Sequence, residues 1–158
     1  MQEQAIAGGY SLKEEIAHSV THGVGAILSV VGLTILVLHS SLYGDTWHIV
    51  SSSIYGLTLI TLYTSSTLYH AVTVPDVKRF LQKLDHAAIF LLIAGTYTPF
   101  TLVNLRGGWG WTLFGIVWSI AIAGMIMELI VGQRYKRVSL GLYLGLGWIV
   151  MIAIDPLI

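Results

Sequence analysis

The chain has 158 residues, of which 55% are hydrophobic and only 10% are charged, and its formal net charge is zero. Soluble domains usually carry about a quarter charged residues, so this composition predicts a membrane protein. The absence of cysteine excludes disulfides, thiolate metal sites and cysteine nucleophiles. The zero net charge and the lack of a basic stripe with interleaved aromatics argue against a nucleic-acid partner.

Five long stretches without Asp, Glu, Lys or Arg follow one another along the chain. A helix needs roughly 20 apolar residues to cross a bilayer core of about 30 Å, so each stretch predicts a membrane span. A soluble helical core would need a charged outer face on each helix, which these stretches lack. We therefore expect an all-α, polytopic transmembrane helix bundle that forms one domain over residues 1–158. The predicted spans cover residues 19–42, 48–70, 86–104, 109–131 and 138–157.

The short loops between these spans differ in charge. The loop at 71–85 contains Lys78, Arg79 and Lys83, and the loop at 132–137 contains three further basic residues. Because Lys and Arg concentrate in cytoplasmic loops, we expect the N-terminus inside and the C-terminus outside. The N-terminal residues lack the basic region, short apolar core and cleavage site of a signal peptide, so no cleaved leader is expected.

Polar and ionisable side chains collect where the second span ends and the third begins. Ser66 and His70 are four residues apart, so they lie on one helical face, and Asp85 opens the next span. Ionisable groups at membrane depth are costly and tend to mark function. Hydroxyl, imidazole and carboxylate groups together suit a hard or borderline metal such as zinc. Asp85 also fits a plain helix N-cap, and His86 fits a ligand, a partner of a ligand or an interfacial histidine.

Span one adds two histidines at the same edge, His18 and His22, at a spacing that suits a zinc pair on a helix. With His70 and Asp85 they would make a four-ligand set. Two interfacial histidines that bond to their neighbours are the simpler explanation.

Three carboxylates near this edge have ordinary structural explanations. Glu14 and Glu15 precede the histidines and fit charges at the start of a helix. Glu128, inside the fourth span, is expected to pair with Arg134 at the inner interface, with a position facing the polar site as the alternative.

Four motifs in chain order resemble the bacterial hemolysin III proteins, which belong with the progestin and adipoQ receptors and, more distantly, the alkaline ceramidases. The motifs are the segment from Glu14 to Gly23, Ser66-x3-His70, Leu84-Asp85-His86, and the segment from Ala94 to Pro99.

The resemblance implies a seven-helix bundle with the N-terminus inside and a zinc ion near the cytoplasmic side. In that pattern His70 is a direct ligand, Asp85 binds the metal or holds its water, and Ser66 lines the site. The remaining two ligands come from a His-x3-His pair on the seventh span. Five predicted spans leave that pair out, so the zinc site is expected to be incomplete, with His22 and His18 as weak substitutes.

Three functional hypotheses follow, and whether the protein is an enzyme stays open. The first is an integral membrane protein of the hemolysin III type, with a partial zinc site, in membrane homeostasis or cytolysis. The second is a zinc-dependent lipid amide hydrolase resembling ceramidases, in which Asp85 and Ser66 would be catalytic. The third is an oligomeric pore, although no span carries the charged rings of a selective pore. The expected partners are membrane lipids and further copies of the chain, and the expected location is the bacterial inner membrane.

Overall fold

The computed structural model describes residues 10–153, and over this range the chain forms five α-helices and no strand. The helices are α1 (Leu12–Tyr43), α2 (Thr46–Ala71), α3 (Pro75–Pro99), α4 (Gly108–Val131) and α5 (Lys136–Trp148). A π-helical turn, Phe100–Asn104, follows α3, and 3₁₀ turns at Gly132–Tyr135 and Ile149–Ala153 flank α5. The predicted all-α architecture is confirmed.

Within the described range, three stretches are long and apolar enough to cross a bilayer: α1, α4 and the stretch Pro75–Asn104, which is α3 with its π turn. α2 is long enough at 26 residues, but its many serine, threonine and tyrosine side chains lower its hydropathy. α5 has 13 residues, and the last part of the fifth predicted span lies outside the described residues. The spans predicted at 48–70 and 138–157 therefore stay predictions.

Two helices begin before the apolar stretch that each contains. α1 begins at a capping box, in which Ser11 and Glu14 each accept the backbone N–H of the other. α3 begins with Pro75, a residue favoured in the first turn because its missing N–H needs no helical partner there. The loop between α2 and α3 is therefore only residues 72–74, much shorter than expected. Asp85 lies well inside α3, so its interpretation as an N-cap is wrong.

The buried apolar core lies among α3, α4 and α5. Small residues let these helices approach closely, and the aromatic ring of Phe90 packs where any Cβ at Gly124 would overlap it. α1 packs mainly against α2, and most of its large apolar side chains are exposed, as expected of a face in contact with lipid. The buried members of the core are Phe90, Ala94, Val117, Ala121 and Leu146.

Asp45 ties together two loops at the end of the bundle predicted to face outward. Its carboxylate caps α2 by accepting the N–H groups of Trp47 and His48 at 2.9 and 3.1 Å. It also pairs with Arg106, in the loop before α4, at 2.9 Å. Hydrogen bonds from the side chain and backbone of His48, among others, lower the pKa of Asp45 to about 2, so the cap stays ionised at neutral pH.

Candidate functional site

A buried charge network joins α1, α2 and α3 at the opposite end of the bundle. Glu15, His70 and Lys78 are 3%, 8% and 2% exposed. One carboxylate oxygen of Glu15 lies 2.8 Å from Nδ1 of His70, and the other lies 3.0 Å from Nζ of Lys78. Both oxygen atoms of a buried carboxylate therefore face a partner, which burial of a charge requires. Sequence reasoning missed this role, because it treated Glu15 as a helix-start charge and Lys78 as a loop charge.

Lys78 also fixes the end of α2, which carries His70. Its ammonium group donates hydrogen bonds to the carbonyl oxygens of Tyr69 and Val72 at 2.9 and 3.3 Å. The same group lies 4.5 Å from the centre of the Tyr69 ring, in a cation–π contact. The last carbonyls of a helix have no helical donors, so a cation stabilises this end of α2.

Three histidine rings meet beside this network, and we call His18, His22 and His70 the imidazole cluster. The ring of His70 lies 4.7 Å from that of His18 and 5.9 Å from that of His22, between centroids. The rings of His18 and His22 are 6.4 Å apart. The sequence spacing predicts that these three residues share one edge, and the structure brings them into mutual ring contact.

Ser66 reaches the imidazole cluster through His22. Its buried hydroxyl lies 2.6 Å from Nδ1 of His22, on the neighbouring helix. Because Nδ1 is engaged by Ser66, Nε2 is the nitrogen of His22 through which the ring could bind a metal. The hydrolase hypothesis uses the hydroxyl of Ser66 to stabilise a developing oxyanion, and in this structure that hydroxyl is already in contact with His22.

Asp85 interacts with the imidazole cluster through its charge and not through a hydrogen bond. Among the side chains that the structure describes, its carboxylate forms no hydrogen bond or ion pair, and His70 is bonded to Glu15 instead. Its charge acts electrostatically on His22 and on Tyr69 and Tyr143. Asp85 is thus linked to the predicted ligand His22 only through its charge.

A second polar network joins α3, α4 and α5. Glu128 is buried, and it accepts a hydrogen bond of 2.7 Å from the hydroxyl of Ser139. Its other oxygen lies 3.9 Å from Nδ1 of His86, and the hydroxyl of Tyr143 donates to the carbonyl oxygen of His86 at 2.9 Å. Glu128 therefore faces the interior of the bundle, and the predicted interfacial pair with Arg134 is wrong.

The imidazole cluster fits a metal in its chemistry and only partly in its geometry. No group of three His, Asp or Glu side chains in the described part of the chain is arranged to hold a metal ion. His70 and His22 nevertheless each have Nδ1 engaged by another side chain, as metal-ligating histidines usually do. A cavity of about 150 Å³, lined by Glu15, Ser19, His70 and Lys78 among others, lies beside the cluster. The described residues offer donors of the right type but an incomplete set.

The fold and the site define an all-α membrane protein with ionisable groups buried at one end of its helix bundle. A family model described as haemolysin-III related matches residues 10–158. The chain therefore belongs to the haemolysin-III family, and the resemblance seen in its motifs is confirmed.

Curated relatives agree with this assignment. The chain is 47% identical to Hemolysin-3 of Bacillus cereus over 146 residues, which cover 92% of this chain and 67% of the relative. It is 45% identical to the Hemolysin-3 homolog of Bacillus subtilis over 148 residues, which cover 94% and 70%. A more distant relative is the Monocyte to macrophage differentiation factor of Homo sapiens, 27% identical over 140 residues, which cover 85% and 58%.

Removal of the buried cation tests the charge network. Lys78→Met leaves the Glu15 carboxylate buried without its ion-pair partner, so we expect a loss of about 3–5 kcal/mol in the free energy of unfolding, measured in detergent. The double variant Glu15→Gln/Lys78→Met removes both charges and should recover most of that loss.

Arg79→Met is the matched control, because Arg79 is adjacent in sequence and pairs with Asp76 on the exposed surface. A solvated pair contributes roughly 0–1 kcal/mol, so this variant should be close to wild type. Equal losses for Lys78→Met and Arg79→Met would contradict the role of Lys78.

Proposed function

We propose that the protein is a hemolysin-III-type integral membrane protein that binds zinc at the imidazole cluster. The observation that carries the proposal is the way in which two ring nitrogens are anchored. Glu15 holds Nδ1 of His70 at 2.8 Å, and Ser66 holds Nδ1 of His22 at 2.6 Å. Metal-ligating histidines commonly bind through one nitrogen while a carboxylate, carbonyl or water fixes the other.

The residues that would hold zinc are His70 and Asp85, with His22 and His18 beside them. His70 is the best placed, because it is buried and its ring is fixed on one side. Asp85 is partly exposed and is the carboxylate that the family resemblance assigns to the metal or its water, so it would supply the oxygen donor. Zinc, when bound, supplies Lewis-acid chemistry. Further donors from outside the described residues, or from a second copy, would complete the usual four.

Metal analysis of the purified protein tests this site. We expect His70→Ala to abolish stoichiometric zinc, because it removes the buried nitrogen donor. Asp85→Asn should weaken zinc affinity by about 10–100-fold. His39→Ala is the control, since His39 is an exposed histidine that contacts Tyr43 near the far end of α1. Zinc content unchanged by both site substitutions would remove the proposed site.

We further propose that the chain crosses the bacterial inner membrane several times with its N-terminus inside. Basic residues support this orientation: Lys78, Arg79 and Lys83 lie in the N-terminal part of α3, and Arg134, Lys136 and Arg137 lie in the turn before α5 and at its start. The exposed apolar side chains of α1 support contact with lipid.

The absence of cysteine allows a direct test of orientation, because each introduced thiol is the only one. Tyr43 is 77% exposed and Val74 is 56% exposed, at opposite ends of α2. We expect Tyr43→Cys to react with a membrane-impermeant maleimide on intact cells, and Val74→Cys to react only after the membrane is opened. The reverse pattern would invert the proposed topology.

The names of the two Bacillus relatives support a cytolytic role as a proposal for this chain, with membrane homeostasis as the broader alternative. Cytolysis by an oligomeric pore would make lipid and further copies of the chain its partners.

Dye release from liposomes tests the cytolytic role. Protein reconstituted into phospholipid vesicles should release a trapped dye, with a rate that rises more steeply than linearly with the protein-to-lipid ratio. Vesicles treated with detergent alone are the control. Release no greater than in that control, at the highest ratio, would rule out the pore.

A further inference from the structure

The charges around Glu15 decide where the ring proton of His70 lies. Lys78 places its ammonium group 3.0 Å from one oxygen of Glu15, and both side chains are shielded from water. A carboxylate in an ion pair accepts hydrogen bonds through both of its oxygen atoms. An ionised carboxylate has no proton to donate, so the hydrogen in its contact with His70 belongs to the ring.

We propose that Glu15 is a positioning residue that keeps the proton of His70 on Nδ1 and leaves Nε2 with a bare lone pair. This inference rests on the proposed function, because a bare nitrogen is what an imidazole needs in order to bind a metal. Lys78 acts one step further away, through its ion pair with Glu15.

The geometry of His70 leaves little freedom for another arrangement. Its ring is anchored at Nδ1 on the Glu15 side, and it meets the His18 ring at 74° with 4.7 Å between centroids. The ring of Tyr69, 4.6 Å away, also contacts it. A ring fixed by one strong hydrogen bond and by close neighbours cannot turn without breaking that bond, so the proton position and the ring orientation are set together.

Nuclear magnetic resonance of protein with nitrogen-15-labelled histidine, in detergent without metal, reads the proton position directly. The signal of His70 is assigned by its loss in His70→Asn. In the wild type we expect a protonated Nδ1 and a bare Nε2. In Glu15→Gln the neutral amide can donate to Nδ1, so the proton should move to Nε2, and zinc affinity should fall by about 10–100-fold.

Glu14→Gln is the matched control, because it makes the same change at the next residue, which is exposed. It should alter neither the His70 spectrum nor zinc affinity. The double variant Glu15→Gln/Lys78→Met guards against a folding defect, because it leaves no unpaired charge, and it should show the same proton shift as Glu15→Gln.

The outcomes separate this inference from the proposed function. A wild-type spectrum with hydrogen on Nε2 of His70 overturns the inference, as does a Glu15→Gln variant with unchanged spectrum and zinc affinity. A wild type that has bare Nε2 but binds no zinc leaves the positioning role standing and overturns the proposed zinc site.

Discussion

The buried ion pair between Glu15 and Lys78 is the constraint on which this end of the bundle depends. Moving two charges out of water costs several kcal/mol per ion, and their attraction offsets that cost only when further hydrogen bonds complete the geometry. Here His70 and the last carbonyls of α2 supply those bonds. A shift of α1 by one turn would leave a buried charge unpaired, so the pair fixes the register of α1, α2 and α3 together.

The polar groups of the site follow from that register. With α1 and α2 fixed, His18 and His22 face His70, and the hydroxyl of Ser66 meets His22. α3 then connects this cluster to the second network through two adjacent residues. Asp85 acts on the cluster electrostatically, while His86 lies near Glu128. Two buried carboxylates thus meet the same helix at different residues, Glu15 at Lys78 and Glu128 at His86.

Much of the fold and part of the site can be read from the sequence. Charge-free stretches indicate helices, and four-residue spacing places His18 and His22 on one face, as it does Ser66 and His70. Glu15 and Lys78 could not be found in this way, because each stands beside an exposed residue of like charge, Glu14 or Arg79, and their pairing is a contact between distant parts of the chain. One local signal was available: Pro75 suits a helix start, which would have put Lys78 in the first turn of α3 and Asp85 in its interior.

The order of the helices along the chain gives the ion pair a consequence for biosynthesis. Glu15 leaves the ribosome 55 residues before His70, and Lys78 follows later still. Until the start of α3 emerges, Lys78 is not available, so the carboxylate near the head of α1 lacks the ion-pair partner that offsets the cost of its burial. The network can therefore close only once the start of the third helix has emerged, while α4 and α5 are still to be synthesised.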